Sequence, residues 1–340
     1  MKQAINKIKR MNKILMLVPS SFLLNKNAQM NKTIFLFVLT LMLTFTSSYG
    51  QQDPQYTHYM YNMNVVNPAY AGSRETLSIG LLGRTQWVGI DGAPQTITAN
   101  VHAPVGSNLG VGLSVIADEI GPVKEQNAYA DVSYTINTSE EGRLAFGLKG
   151  GVTFFNASLT DLLLPDGTQG VDDLFANDGK GTFPNIGAGL YYYTDKFYAG
   201  LSVPNFLETP HFKDTDNSTV NMVASEKWHG FLTLGYVFDL TEDLDFKPAA
   251  IVKATPGSPL SVDISGNFLI NDRFELGLAY RFNDSIDGLV SFLVTDDFRI
   301  GYSYDYTLTN LGDFNSGSHE LFLQYDVNMS RKNLKSPRFF

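Results

Sequence analysis

The stretch Phe274-Glu275-Leu276-Gly277-Leu278-Ala279-Tyr280-Arg281-Phe282-Asn283 alternates apolar with polar or small residues from end to end. Successive side chains of a strand point to opposite faces, so one face of this run is greasy and the other carries charge and glycine. A soluble sandwich turns its greasy face inward. A membrane barrel turns it outward against lipid and leaves the polar face to the lumen. The same parity recurs along the chain. Leu144, Phe146 and Leu148 oppose Arg143, Ala145, Gly147 and Lys149, while Ile300, Tyr302, Tyr304 and Tyr306 oppose Arg299, Gly301, Ser303 and Asp305. Leu321, Leu323, Tyr325 and Val327 oppose Glu320, Phe322, Gln324 and Asp326. Small residues mixed with ionisable ones suit a narrow lumen in which opposite charges pair.

Between Leu77 and Val327 about fourteen such runs can be marked off, and the connections between them alternate in length. Pro104–Asn108, Asn137–Gly142, Thr194–Lys196, Thr241–Asp243, Asn271–Asp272 and Asp296–Asp297 are short, whereas Trp87–Ala93, Asn156–Thr182, Asn205–Ser225 and Thr307–Asn315 are longer. Outer-membrane barrels have short periplasmic turns and longer external loops. The reading is therefore an all-β, transmembrane antiparallel barrel over residues 77–327, placed in an outer membrane. After the N-terminal region no stretch is long and apolar enough for a spanning helix.

Composition narrows the function classes only a little. The net charge of -9 carries no basic surplus of the kind that binds nucleic acid, and the absence of cysteine removes disulfide scaffolds and cysteine-ligated zinc. Lys32 precedes the apolar run Ile34 to Phe45 and the small, polar Ser47-Ser48-Tyr49-Gly50, the build of a secretory signal cut before Gln51. Residues 1–50 are assigned to that signal. A second basic and apolar patch, Lys7 to Arg10 and Ile14 to Val18, makes Met30 a candidate for the true start. Residues 51–76 hold too many Asn and Pro for a barrel strand and too many Tyr, Met and Val for a solvated tail. They are expected either in the base of the lumen or on the periplasmic rim. Residues 328–340 are read as a periplasmic tail.

Gln52-Asp53-Pro54-Gln55-Tyr56 through Asn67-Pro68-Ala69-Tyr70-Ala71-Gly72 resembles the opening signature of the PorP/SprF family, as does Arg84-Thr85-Gln86-Trp87-Val88-Gly89-Ile90-Asp91-Gly92-Ala93-Pro94. Gly110 to Leu113, Asp118 to Pro122, His319-Glu320 and the closing Ser336 to Phe340 fit the same pattern. The resemblance implies an outer-membrane protein of Bacteroidota associated with type IX secretion. Its partners would be a large secreted adhesin with a type B C-terminal domain and the periplasmic and outer-membrane components of the secretion machine. The outcome would be secretion and surface anchoring of the adhesin, serving gliding motility in some species.

No catalytic constellation stands out. The five histidines lack a Ser or Asp at a spacing that forces a pairing, and neither a nucleophile elbow nor a zinc-protease helix motif is present. His102 and His319 are read on the polar parity, as members of a lumen network or of a phospholipase-like site. Asp166-Gly167, Asp172-Asp173, Asp178-Gly179 and Asp214 to Asn217 do not match a calcium-loop spacing and read as turns. No metal or cofactor is assigned, and the chain is read as a non-enzyme. The lumen parity collects Arg84, His102, Arg143, Lys149, Arg281, Arg299, Asp305, His319 and Glu320. Trp87, Val88, Ile90 and Pro94 form either the girdle end of a strand or a partner-contact loop whose apolar residues would stand exposed. The leading reading is an adhesin-secretion barrel. The alternative is a transporter or channel for hydrophobic or small solutes, whose discriminating features would be a lateral opening and an apolar lumen.

Overall fold

The computed structural model describes residues 54–158, 179–207 and 227–327. The expected signal, the expected C-terminal tail and the acidic groups at Asp166, Asp172, Asp173, Asp178 and Asp214 lie outside the described residues.

Fifteen strand runs follow one another: β1 (Leu77–Thr85), β2 (Gln95–Val105), β3 (Leu109–Ile120), β4 (Val123–Asn137), β5 (Arg143–Ala157), β6 (Gly179–Tyr193), β7 (Phe197–Val203), β8 (Gly230–Tyr236), β9 (Phe238–Thr241), β10 (Leu244–Ala254), β11 (Ser261–Ile270), β12 (Phe274–Arg281), β13 (Ser285–Leu293), β14 (Phe298–Thr307) and β15 (Ser318–Val327). β8 and β9 are two pieces of one strand. Both run along β10 and are parted at Val237, whose N–H donates to the Lys196 carbonyl at 2.8 Å. Fourteen strands therefore circle the barrel, each antiparallel to its neighbours. β1 pairs with β15 from Leu77 opposite Val327 to Thr85 opposite His319, and this seam closes the sheet. Closure leaves every strand laddered on both sides, which a sheet in hydrocarbon requires.

The two faces separate as the alternation demands. Outside, Leu148, Leu278 and Ile97 are 69%, 67% and 64% exposed; inside, Lys247, Asn267 and Ser303 are 0% exposed. A greasy face turned out and a charged face sealed in fits lipid outside, not water. No helix among the described residues is long and apolar enough to cross a membrane.

β4, β5 and β6 each run to 15 residues. About 9–11 residues of tilted strand cross a bilayer, so these three stand clear of it on the outer side. The expected outer connection Asn156–Thr182 is accordingly shorter than read: β5 continues to Ala157, opposite Gly179. The ladder persists there because Gly179 to Thr182 still alternates, with Lys180 and Thr182 turned outward and exposed. On the inner side every connection is short. The β11–β12 turn puts Asn271 (φ 52) and Asp272 (φ 57) in the left-handed region that a tight hairpin needs and that Asn and Asp tolerate.

Candidate functional site

The interior is filled by the chain's own N-terminal segment. From the outer end at Pro54 it descends through a 3-10 turn (Tyr59–Tyr61), a single helical turn α1 (Met63–Val66) and a second 3-10 turn (Pro68–Tyr70) before β1 begins at the inner end. Every residue from Thr57 to Ala71 is buried. Asn67 starts the last turn: its side-chain oxygen accepts from the Ala69 N–H at 3.0 Å, and Pro68 occupies the first position, where its missing N–H costs nothing. The Asn67 Nδ2 also donates to the Leu190 carbonyl at 2.9 Å.

Glycines of the wall receive this turn. A Cβ on Gly147 would collide with the Ala69 nitrogen and lie 2.5 Å from its Cα, and one on Gly189 would collide with the Asn67 side-chain oxygen. A Cβ on Gly110 would strike the Ala71 carbonyl. Ser133 and Ser202 donate to the carbonyls of Ala71 (2.6 Å) and Val66 (2.8 Å). Tyr70 stands edge-on to His102 and Tyr191, with centroids 5.4 and 5.3 Å away. His102 is buried, and its Nδ1 accepts from the Gly72 N–H at 3.3 Å.

Higher in the lumen the segment is held by charge. Glu320 accepts from the backbone N–H groups of Thr57 (3.0 Å) and His58 (2.7 Å), and the His58 ring Nδ1 lies 2.9 Å from it. Arg84 pairs with Asp305 at 2.7 Å and with Glu320 at 3.4 Å, and donates to the Thr57 hydroxyl at 2.9 Å. Thr57 in turn donates to Asp305 at 2.7 Å. Lys149 faces Asp131 at 2.9 Å, and Asn64 donates to the same carboxylate. Lys247 pairs with Glu275 at 2.9 Å; Arg299 lies 3.9 Å from that carboxylate, and the Tyr61 hydroxyl donates to it. Tyr61 stacks on Phe322 with centroids 4.1 Å apart. Burial pushes the Tyr59 and Tyr61 phenols well above their ordinary range, so both remain protonated. Arg281 pairs with Asp263 at 2.8 Å, and Arg143 pairs with Glu75 nearer the inner rim.

Two expectations need correction. His319 does not face the lumen. It shares the parity of Leu321, hydrogen-bonds the Tyr302 hydroxyl at 2.6 Å and packs beside Tyr304, because inward positions of β15 are the even-numbered ones. Trp87 does not continue β1, since its φ of 46° breaks the strand, and Val88 and Ile90 are half-buried instead of exposed. The loop from Trp87 to Pro94 is tied down at both ends. Val88 exchanges backbone hydrogen bonds with Gly317 (2.9 Å) and Ser316 (2.7 Å), and Gly121 donates to the Gly92 carbonyl at 2.9 Å. Pro94 is buried, and Gly89, Asp91 and Gly92 form the exposed crest. Beside it Phe314 is 74% exposed.

Sequence reasoning missed Thr57, His58, Asp131 and Lys247, and it set Glu275 on the polar face of its strand without a partner. Their partners lie far along the chain, as with His58 and Glu320, so no local pattern announces them. The glycines on lumen parity were the available signal, since a wall without side chains implies something packed close against it.

The family described as type IX secretion system membrane protein PorP/SprF matches residues 48–325. The chain belongs to that family. With the closed barrel and its greasy belt, this places the protein in the outer membrane as a component associated with type IX secretion. No curated protein matches it in sequence. Among solved structures it is similar to Omp33 of Acinetobacter baumannii (TM-score 0.43, 8% identity, 74% of this chain and 99% of that one). It is also similar to the toluene transporter TbuX of Ralstonia pickettii (0.44, 11%, 77% and 92%) and to a Pseudomonas aeruginosa FadL homologue (0.41, 11%, 82% and 95%). These likenesses concern strand arrangement and bring no transport activity with them.

Proposed function

We propose that this PorP/SprF barrel helps deliver a large secreted adhesin bearing a type B C-terminal domain and holds it at the cell surface, supporting gliding where the cell glides. Residues 1–50 would direct export, and the inner rim would meet periplasmic components of the secretion machine. The observation that carries the reading is a lumen filled by the chain's own buried segment and pinned there by hydrogen bonds to the wall carboxylates Glu320, Asp131 and Glu275. A barrel so filled is built to present a surface, not to pass a polypeptide. The outer face supports this: the loop of Trp87, Val88, Ile90 and Pro94 is held in one shape by backbone bonds, with Phe314 exposed next to it. A fixed loop loses little entropy on binding, and an exposed aromatic supplies an anchor.

The transporter reading is disfavoured by the same filling. The test is purification of the tagged barrel in mild detergent from its native membrane. A large surface protein should accompany it, and deletion of the barrel gene should strip that protein from cells. A barrel that purifies alone, with surface proteins unchanged on deletion, refutes the proposal.

A further inference from the structure

On the lipid face of β4, β5, β6 and β7 two ridges enclose a trough of about 570 Å³. The ladders place its parts. Tyr134, Phe146, Leu190 and Leu201 stand in one row across the four strands and form the ridge nearer the inner end. Val132, Leu148, Ala188 and Val203 form the second ridge, two residues further out, and Ala188 is the one small residue on either. Between the ridges runs the inward-facing row Ser133, Gly147, Gly189 and Ser202, whose backbone is the floor. These four residues also receive the N-terminal segment on the lumen side, so one layer of backbone separates the trough from the turn Pro68–Tyr70. Past the end of β7 the Phe206 N–H donates to the Ile186 carbonyl at 2.8 Å, which stations an exposed ring at the β7 side of the trough.

We infer that this trough is a seat for one acyl chain of a phospholipid of the surrounding bilayer. Its place, width, length and volume select that occupant. Leu148 and Leu201 stand exposed on the greasy belt, so whatever reaches the trough arrives through hydrocarbon. The ridges lie two residues apart along the strands, about 6.6 Å, which admits an alkyl chain and shuts out a helix about 10 Å across. A lone strand would leave its backbone unpaired in lipid. Four strands spaced by about 4.8 Å span about 14 Å, close to the half-thickness of about 15 Å that one acyl chain covers in a bilayer. The volume is about four times the cavity of about 150 Å³ that takes up benzene, room for one chain and too little for two. Because the medium is itself hydrocarbon, shape contact and not exclusion of water holds the chain, and the preference over bulk lipid is modest.

The test places the full barrel in phosphatidylethanolamine vesicles containing a trace of the same lipid with a photoreactive diazirine on one acyl chain, and maps the label by mass. Wild type should carry the label on the two ridges about fivefold above the rest of the belt. Ala188→Phe fills the trough with a side chain and should remove that excess. Ile97→Phe alters an exposed lipid-facing position on β2 and should leave it unchanged. The N-terminal segment should resist proteolysis in all three proteins, because position 188 points outward, so a lost label reports the seat and not a released segment. Label spread evenly around the wild-type belt, or Ala188→Phe labelled like wild type, overturns the seat. Co-purification of a second membrane protein that shields these ridges from the label overturns it too. If Ala188→Phe lacks the heat-modifiable mobility of a folded barrel, Leu148→Ala lowers the outer ridge beside Ala188 and must show the same loss.

Discussion

Gly147→Ala should release the N-terminal segment without unfolding the barrel. The added Cβ would lie 2.5 Å from the Ala69 Cα and nearer still to the Ala69 nitrogen, so it meets backbone that cannot swing aside. The turn Pro68–Tyr70 must then move away from the wall. That movement strains three hydrogen bonds, from Asn67 to the Leu190 carbonyl, from Ser202 to the Val66 carbonyl and from Ser133 to the Ala71 carbonyl. At about 1 kcal/mol each they contribute about 3 kcal/mol, and residual overpacking adds about 1–3 kcal/mol. A docking equilibrium weakened by about 4 kcal/mol shifts by roughly a thousandfold. Gly150→Ala in the same strand is the control, because nothing lies within 4 Å of its added Cβ. Limited proteolysis of protein in detergent, read by mass at residues 54–76, should show cleavage in Gly147→Ala and none in wild type or Gly150→Ala. A Gly147→Ala barrel as resistant as wild type would show that the close packing of the turn does not hold the segment in place.

Wild-type protein in planar bilayers should be silent, and deletion of residues 54–66 should produce steady ion conductance; an open wild-type pore contradicts the filled lumen. Glu320→Gln leaves Arg84 and His58 facing a neutral group in a buried site, and thermal unfolding should report a loss of about 3 kcal/mol, with a change below about 1 kcal/mol counting against the network. Leu278→Arg puts a charge on a lipid-facing position that is 67% exposed, and folding into vesicles should be disfavoured by about 2–4 kcal/mol. His319→Ala should leave the proteolytic resistance of the N-terminal segment unchanged, because the ring points outward to Tyr302 and Tyr304.

The barrel was legible because its signal has period two and repeats. Phe274 to Arg281 alone decides little, but the same parity in fourteen strands leaves one arrangement in which every greasy residue meets lipid. Strand ends were harder to read. Asn156 and Gly179 to Thr182 look like loop residues, yet above the bilayer a strand needs no greasy face, and its polar alternation carries no hydrophobic signal. The parity of β15 was readable, and His319 was misassigned although its neighbour Glu320 fixes the inward positions. Trp87 was not readable, since a left-handed residue without glycine is set by the hydrogen bonds of the Trp87 N–H to the Ser318 hydroxyl and of the Val88 N–H to the Gly317 carbonyl. The composition of Asn67-Pro68-Ala69-Tyr70 ruled out a strand, but its resting place depended on glycines in β3, β5 and β6 that only the folded barrel brings together.

The wiring of the interior separates barrel integrity from docking of the segment. Each principal wall carboxylate takes a cation from another strand and a donor from the N-terminal segment. Glu320 has Arg84 and the Thr57 and His58 amides; Asp131 has Lys149 and the Asn64 amide; Glu275 has Lys247 and the Tyr61 hydroxyl. The cationic halves are cross-strand pairs of the barrel itself, and Asp131 sits directly opposite Lys149 in the β4–β5 ladder. Removing the segment therefore leaves each carboxylate with its cation and takes away one hydrogen bond from Asp131, one from Glu275 and the Thr57, His58 backbone and His58 ring contacts from Glu320, each hydrogen bond to a charged group being about 1.5–3 kcal/mol. An isolated buried charge, which would cost far more, is not created. The barrel lacking residues 54–66 should accordingly fold with heat-modifiable mobility and a lowered melting temperature. Complete failure to fold would mean that the segment is the core on which the strands assemble, and that the wall pairs do not suffice without it.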